Sequence, residues 1–322
     1  MAILITGVTG FIGSKLAHRL IDEGQEAYGL VRHVSRSALH TVEPVLDRLR
    51  FIEGDLGEYY SIRAAIASVA PEVVFHLGAL TPVRYSFENP FSYAKINFEG
   101  TMNIVHAILE ASPRTRLIAA STAEVYGWQP HKPIPENAKF NASSPYGVSK
   151  AAADSYIQMA SRVYGLNARI LRCNNTYGRL KESGFLVEYL ISSMLANQTT
   201  YVGAPDHIRD YMTVDDHVSA YVAALNTKED SNLEIFNVSP GNPVSNIGLA
   251  KKIASIIEFK GKIVAGSYPP GYPIRPLQGD TDYIVLDSSK IRKELGWNPS
   301  LSLDEGLLHT INAWRKSLPK DS

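Results

Sequence analysis

The sequence predicts an α/β fold, a doubly wound parallel sheet with a smaller C-terminal lobe, and three observations carry that expectation. Short strand-like runs alternate with helical patterns as far as residue 172. A glycine-rich turn joins the first run to the first helix. After residue 173 the helices shorten among glycine and proline clusters at 203–205, 239–243 and 266–276. Alternation of this kind implies a parallel sheet, because parallel neighbours must be joined by crossovers whose helices cover both faces.

The first run, AILIT at 2–6, is short and mostly apolar, as a buried strand requires. It passes at once into Gly7-Val8-Thr9-Gly10-Phe11-Ile12-Gly13, and a helical pattern follows from 14 to 23. In a strand–turn–helix unit of this form, Gly7 permits the tight turn, Gly10 lets the backbone approach a pyrophosphate, and Gly13 allows close helix-to-strand packing. The free N–H groups and positive end of the helix then favour the anion. The G-x-x-G-x-x-G turn therefore points to dinucleotide binding on a Rossmann-type sheet. Further strands are expected at 26–31 (EAYGLV), 50–53 (RFIE), 72–77 (EVVFHL), 116–120 (RLIAA) and 167–172 (NARILR), with helices at 91–112 and 145–164.

Composition narrows the function classes. The 322 residues are ample for a large core, and 32 basic residues balance 32 acidic ones, so nothing suggests a nucleic-acid or membrane surface. Anionic ligands must be held by local positive groups. The single cysteine, Cys173, excludes an internal disulfide framework and reads as a small core residue. There is no apolar run of the roughly 18 residues a membrane helix needs, and strand and glycines stand where a signal peptide would begin, so the cytoplasm is the expected location. The nine histidines show no metal-ligand spacing with cysteine or carboxylates, so no metal is expected.

The chemistry is most legible in SPYGVSK at 144–150. Tyr146 and Lys150 lie one helical turn apart. A phenol titrates near ~10, too high for a base at neutral pH, and an ammonium beside it favours the phenolate. Upstream, Ser121-Thr122-Ala123-Glu124 supplies a hydroxyl that can share a substrate proton and a carboxylate that can serve as a second acid or base. With 17 tyrosines, a chance Tyr-x-x-x-Lys is expected somewhere in the chain, so the pair gains its meaning from the glycine turn that precedes it.

TGVTGFIG, STAEVYG and SPYGVSK, in this order and spacing, resemble the extended short-chain dehydrogenase/reductase family that modifies nucleotide sugars. Matches at GDL (54–56), HLGA (76–79), NFEGT (97–101), NNTYGR (174–179), RDYMTVDD (209–216) and SKIRKELGW (289–297) extend the resemblance over nearly the whole chain. It implies an NAD(P)-binding part over 1–173, to which the chain returns around 211–238, and a nucleotide-sugar-binding lobe formed mainly by 174–322. It implies cofactor contacts from Gly7, Thr9, Gly10, Phe11, Ile12, Gly13, Leu77, Gly78, Ala79, Asn97, Tyr146 and Lys150, with Asp55 and Leu56 by the adenine. For the sugar nucleotide it implies Thr81, Arg84, Thr122, Asn175, Arg209 and Arg275, the last three facing the diphosphate, which a guanidinium fork suits well. Asp215 and Asp216 belong by the same resemblance to a helix cap. The helices at 91–112 and 145–164 commonly build a self-complementary four-helix interface, so at least a homodimer is expected.

The second strand ends in Val31-Arg32-His33, with Ser35 and Arg36 close behind and no carboxylate to hold a ribose 2′-hydroxyl. GLVRHVSRS resembles the same turn in GDP-mannose 4,6-dehydratases, which use NADP, so NADP is expected over NAD with Arg32 and Arg36 as phosphate ligands. The Thr-x-Glu of STAEVYG resembles 4,6-dehydratases and UDP-glucuronate decarboxylases more than 4-epimerases. Ala123 departs from the pattern, since dTDP-glucose dehydratases carry an aspartate there and GDP-mannose dehydratases a serine. A 4,6-dehydratase of GDP-mannose type acting through a 4-keto sugar is the expectation, with catalytic Thr122, Glu124, Tyr146 and Lys150. A 4-epimerase is the alternative, followed by a 4-ketosugar reductase or a decarboxylase that would grip its C6 carboxylate with Arg84. A non-catalytic NADP-binding regulator is disfavoured because Tyr146 and Lys150 are both present.

Overall fold

The computed structural model describes residues 1–32, 41–180, 182–227, 231–272, 276 and 279–317. The first half contains β1 (Ala2–Thr6), α1 (Phe11–Asp22), β2 (Glu26–Val31), β3 (Arg50–Glu53), α2 (Tyr59–Val69), β4 (Val73–His76), α3 (Val83–Glu88), α4 (Pro90–Tyr93), α5 (Gly100–Ala111), β5 (Arg116–Thr122), α6 (Pro145–Tyr164) and β6 (Ala168–Cys173). The second half contains β7 (Asn175–Tyr177), α7 (Leu186–Leu195), β8 (Thr200–Val202), β9 (Ile208–Arg209), β10 (Tyr211–Thr213), α8 (Val214–Leu225), β11 (Leu233–Val238), β12 (Val244–Ser245), α9 (Asn246–Ile257), β13 (Ile263–Ala265), β14 (Tyr283–Ile284), α10 (Ser289–Leu295) and α11 (Leu303–Ser317).

Seven strands form one sheet in the order β11-β6-β5-β4-β1-β2-β3, every neighbouring pair parallel. All four residues of β4 and all six of β6 are buried, as strands covered on both faces must be. On one face Leu16, Leu20 and Ile21 of α1 pack with Val218 and Tyr221 of α8. On the other, Ile62 and Ile66 of α2, Ile104 and Ile108 of α5, and Ile157 of α6 form a second apolar layer. A third cluster joins α7, α9 and α11 through Leu190, Ile191, Ile253, Leu307 and Trp314, outside the main sheet. Strand β11 lies at the sheet edge beside β6, in register from Leu233 against Ala168 to Val238 against Cys173.

The strand order reverses between β1 and β4, since β2 and β3 continue to one side and β5 and β6 to the other. That reversal opens a crevice at the carboxyl ends of β1 and β4, where ligands bind in sheets of this kind. The helix expected over 91–112 runs without a gap from Pro90 to Ala111, as α4, a π-helical stretch from Ala94 to Glu99, and α5. The wide turn carries Asn97, whose amide is fully engaged: Oδ1 accepts from Leu80 N, and Nδ2 donates to Leu80 O and Ser149 Oγ. Holding one asparagine against both a loop and α6 is a use for which such bulges are kept.

Candidate active site

The glycine turn is shaped by what it excludes. Gly7 has φ +70°, a conformation favouring glycine, and a Cβ there would lie 2.8 Å from Gly78 N. A Cβ on Gly13 would lie 2.1 Å from Gly7 O, so α1 approaches the turn as closely as backbone allows. Gly78 is in turn confined by Leu56 Cδ1, at 2.8 Å from a built Cβ. Gly7, Gly78 and Leu56 thus converge at the mouth of the crevice, and α1 begins at Phe11 with Gly10 as N-cap and no side chain capping its N–H groups. This is a cradle that fits a dinucleotide pyrophosphate. Asp55 Oδ1 accepts from Gly57 N and so braces the loop after β3. Arg32 is exposed just past β2, while Arg36 and Arg275 lie outside the described residues.

Behind the cradle runs a chain of hydrogen bonds that sequence reasoning missed. Thr6 Oγ1 accepts from Gly78 N at 2.9 Å and meets His76 Nδ1 at 2.9 Å, and His76 Nε2 meets Thr101 Oγ1 at 3.0 Å. Thr101 already donates its one hydroxyl proton to Asn97 O, so it accepts from His76, which places the imidazole proton on Nε2. Burial, together with the charge of Lys150, lowers the His76 pKa to about 3, which keeps the ring neutral. The motif HLGA displayed this histidine; its partners, 70 and 25 residues distant, had no local signal.

The acid–base group forms where β5 ends against the first turns of α6. Ser144 caps that helix by accepting from Gly147 N at 3.0 Å, and Pro145 follows at its first position. This sets Tyr146 beside Thr122, whose hydroxyl hydrogen-bonds the phenol. Thr122 Oγ1 also accepts from Glu124 N at 3.2 Å, which folds the turn back so that the Glu124 carboxylate acts on Tyr146. The Tyr93 ring meets Tyr146 edge-on, at 6.2 Å and 89°. Ala123 points away into a small core with Val125, Tyr126 and Ile134.

Burial pushes the Tyr146 phenol well above its ordinary value, with the Glu124 carboxylate adding to the rise and the Thr122 hydrogen bond opposing it. Desolvation disfavours the phenolate anion in this packed position. Lys150 donates to the Ala120 carbonyl at 2.7 Å, and burial lowers its own pKa to about 8.

The residues expected to face a substrate are brought together less tightly. Asn175 is exposed on β7, which pairs with β10, and Thr81 is exposed after β4. Arg84 stacks over Tyr272, 5.2 Å from the ring centroid. Arg209 is 7% exposed and donates to Asp280 Oδ1 at 3.2 Å and to Thr281 O at 2.6 Å. Asp216 is tied into the scaffold, accepting from Thr213 Oγ1 and from Ser300 N and Oγ. Cys173 is buried. Among the described residues no group of histidine, cysteine and carboxylate side chains has the arrangement of a metal site, and no helix is long and apolar enough to cross a membrane.

A Rossmann-type sheet with a glycine cradle and a Tyr-x-x-x-Lys helix beside it defines a dinucleotide-binding protein of the extended short-chain dehydrogenase/reductase class. Residues 4–310 match the family model described as GDP-mannose 4,6 dehydratase, and the chain belongs to that family of nucleotide-sugar epimerases and dehydratases. It is 33% identical over 322 residues to a UDP-glucose 4-epimerase of Mycolicibacterium smegmatis, covering 98% of this chain and 99% of that one. Among solved structures it resembles a UDP-glucose 4-epimerase with UDP-glucose from Thermotoga maritima, with a TM-score of 0.86, 28% identity, and 98% and 99% of the two chains covered. It also resembles DesIV, a dTDP-glucose 4,6-dehydratase from Streptomyces venezuelae with NAD bound, with a TM-score of 0.85, 26% identity and 98% of each chain covered.

Proposed function

We propose that this protein is an NAD(P)-dependent nucleotide-sugar 4,6-dehydratase working through a transient 4-keto sugar. The observation that carries the reading is Glu124, held in the turn beside Thr122 by its backbone N–H and close enough for its carboxylate to raise the Tyr146 phenol, one more acid–base group than chemistry confined to C4 needs. A nicotinamide cofactor, for which the Gly7–Gly13 cradle is shaped, would take hydride from C4 and return it to C6. Tyr146 receives the C4 hydroxyl proton, and Thr122, bonded to the phenol, orients that hydroxyl and shares the proton. Lys150 holds positive charge beneath them, which a buried phenol needs on becoming an anion. Glu124 removes the C5 proton, made acidic by the neighbouring ketone, and passes it to the C6 hydroxyl, which leaves as water; return of hydride to C6 is matched by a solvent-derived proton delivered to C5.

The cofactor reading favours NADP, on Arg32 just beyond a second strand with no acidic end. The family model favours a GDP-sugar, while the named relatives act on UDP- and dTDP-glucose. A panel of GDP-, UDP-, dTDP- and CDP-sugars with mass detection of water loss decides among them. We further propose a division of labour between 1–173, with returns around 211–238, and the lobe formed mainly by 174–322. A cytoplasmic homodimer completes the proposal, supported by Phe91, Val148, Val163 and Tyr164 exposed on α4 and α6, and light scattering at micromolar concentration checks the mass.

The alternative reading, a 4-epimerase, is favoured by Ala123, which leaves no second acid to protonate the departing C6 hydroxyl. Glu124→Gln separates the two. A dehydratase variant would still oxidise C4 but lose exchange of the C5 proton, so reduced-cofactor absorbance builds up in a single turnover. Full-rate product formation without that absorbance would reject the dehydratase and establish the epimerase.

A further inference from the structure

Directly under the acid–base turn lies an ion pair that the reaction above does not use. Arg172 on β6 and Asp154 on α6 have side chains 2% and 0% exposed. Arg172 Nε donates to Asp154 Oδ2 and Nη2 to Oδ1, both at 2.9 Å, a two-pronged contact with well-defined geometry. Its remaining terminal nitrogen, Nη1, donates to Tyr126 Oη at 2.8 Å and to Glu136 O at 2.7 Å. Asp154 also accepts from Ser121 Oγ at 2.7 Å and from Gln158 Nε2 at 2.7 Å. Tyr126 passes its own proton to Asn237 Oδ1 at 2.8 Å.

Taking both charges out of water costs so much that a well-packed apolar pair of the same volume often serves stability as well. A fully satisfied buried network does something else: it specifies one arrangement of the elements it joins. Here the arrangement is particular. Ser121 immediately precedes Thr122, and Tyr126 follows two residues after Glu124, so the turn bearing both proposed reactive groups is tethered at each end to the same ion pair. Asp154 stands one helical turn beyond Lys150 on the helix that also carries Tyr146. The pair therefore sits at a junction that touches both halves of the acid–base group.

We propose that Asp154, clamped by Arg172, is a positioning device that sets the Thr122–Glu124 turn of β5 against the Tyr146–Lys150 face of α6, a role that rests on the enzyme reading above. The same carboxylate faces Lys150 electrostatically and favours its ammonium, with Cys173 of β6 and His76 of β4 the other titratable groups beside that amine.

Asp154→Asn would leave a buried guanidinium uncompensated and can unfold the chain, so the informative variants are Ser121→Ala and Tyr126→Phe, which cut one tether each and remove no charge. Each is expected to lower kcat about tenfold, and the two together about a hundredfold, as sub-ångström to ångström misplacement of a reacting group does. KM for the nucleotide sugar and the cofactor Kd should stay within about twofold, because ground-state binding is untouched. Ser121→Thr, which restores a hydroxyl, should recover most of kcat. Unchanged kcat in the double variant, or a loss matched by an equal loss of folded protein, overturns the proposal. If the wild-type protein turned over no nucleotide sugar at all, the enzyme reading would fail. Crystal structures would then decide the positioning role, which is overturned if Thr122 still bonds the Tyr146 phenol at the wild-type distance in the double variant.

Discussion

The cofactor cradle and the substrate side of the cleft are built from different materials. The cradle is backbone: Gly7, Gly13 and Gly78 meet at distances no side chain could share, and a helix N-terminus is left open above them. The proposed substrate side is side chains drawn from distant segments, with Arg84 laid on Tyr272 and Arg209 held by Asp280, 71 residues further along. A backbone site is rigid and tolerates almost no change. A side-chain site can be retuned one pair at a time, which lets one family accept many sugars and bases.

Tyr146 stands where the two regions meet, and its loss should be felt most. Tyr146→Phe removes the acceptor of the C4 hydroxyl proton and should cost on the order of a hundredfold or more in kcat, measured in steady state, with cofactor binding retained. Residual activity within tenfold of wild type would place the proton transfer elsewhere. On the cradle side, Gly13→Ala drives a methyl into the Gly7 carbonyl, which is backbone and cannot step aside. Overpacking of this kind costs about 1–3 kcal/mol, so both the melting temperature and the affinity for either cofactor should fall, by calorimetry and by titration.

Arg32 is exposed just past β2, and the proposed preference for NADP rests on its side chain where the rest of the cradle is backbone. Arg32→Asp should reverse the preference for NADP over NAD by removing a charge-assisted contact worth ~1.5 to 3 kcal/mol. Equal affinities of the unaltered protein for the two cofactors would dispose of that assignment. The smallest effect is expected on the substrate side. Asp280→Asn loosens the Arg209 guanidinium without deleting it, so KM for the nucleotide sugar should rise several-fold while kcat holds, the pattern of lost ground-state binding. A fall in kcat with constant KM would move Asp280 into the chemistry instead.

The same contrast explains what could be read in advance. Strands β1, β2 and β3 appear where AILIT, EAYGLV and RFIE were expected, and α6 runs over the 145–164 segment predicted for it. These elements announce themselves through apolar runs, glycine turns and capping residues that are consecutive in the chain. The π-helical widening of that helix at 94–99 was not legible, because it accompanies Asn97 reaching both Leu80 and Ser149, which lie far away in the chain. Nor was the Thr6–His76–Thr101 chain, in which each residue alone reads as an ordinary strand or helix position.

Local information alone determined the glycine turn, the four-residue spacing of Tyr146 and Lys150 and the order of strands and helices, since each depends on dihedral preference and periodicity within a few neighbouring residues. Only the tertiary structure decided that Thr122 bonds the Tyr146 phenol, that Arg172 meets Asp154, and that burial raises the phenol while lowering Lys150 to about 8. Those outcomes depend on sheet register and on how much water the packed helices exclude. Desolvation is a property of the surroundings, and the surroundings of Tyr146 come from β5, β6, α4 and the turn after β5, which meet only once the chain has folded.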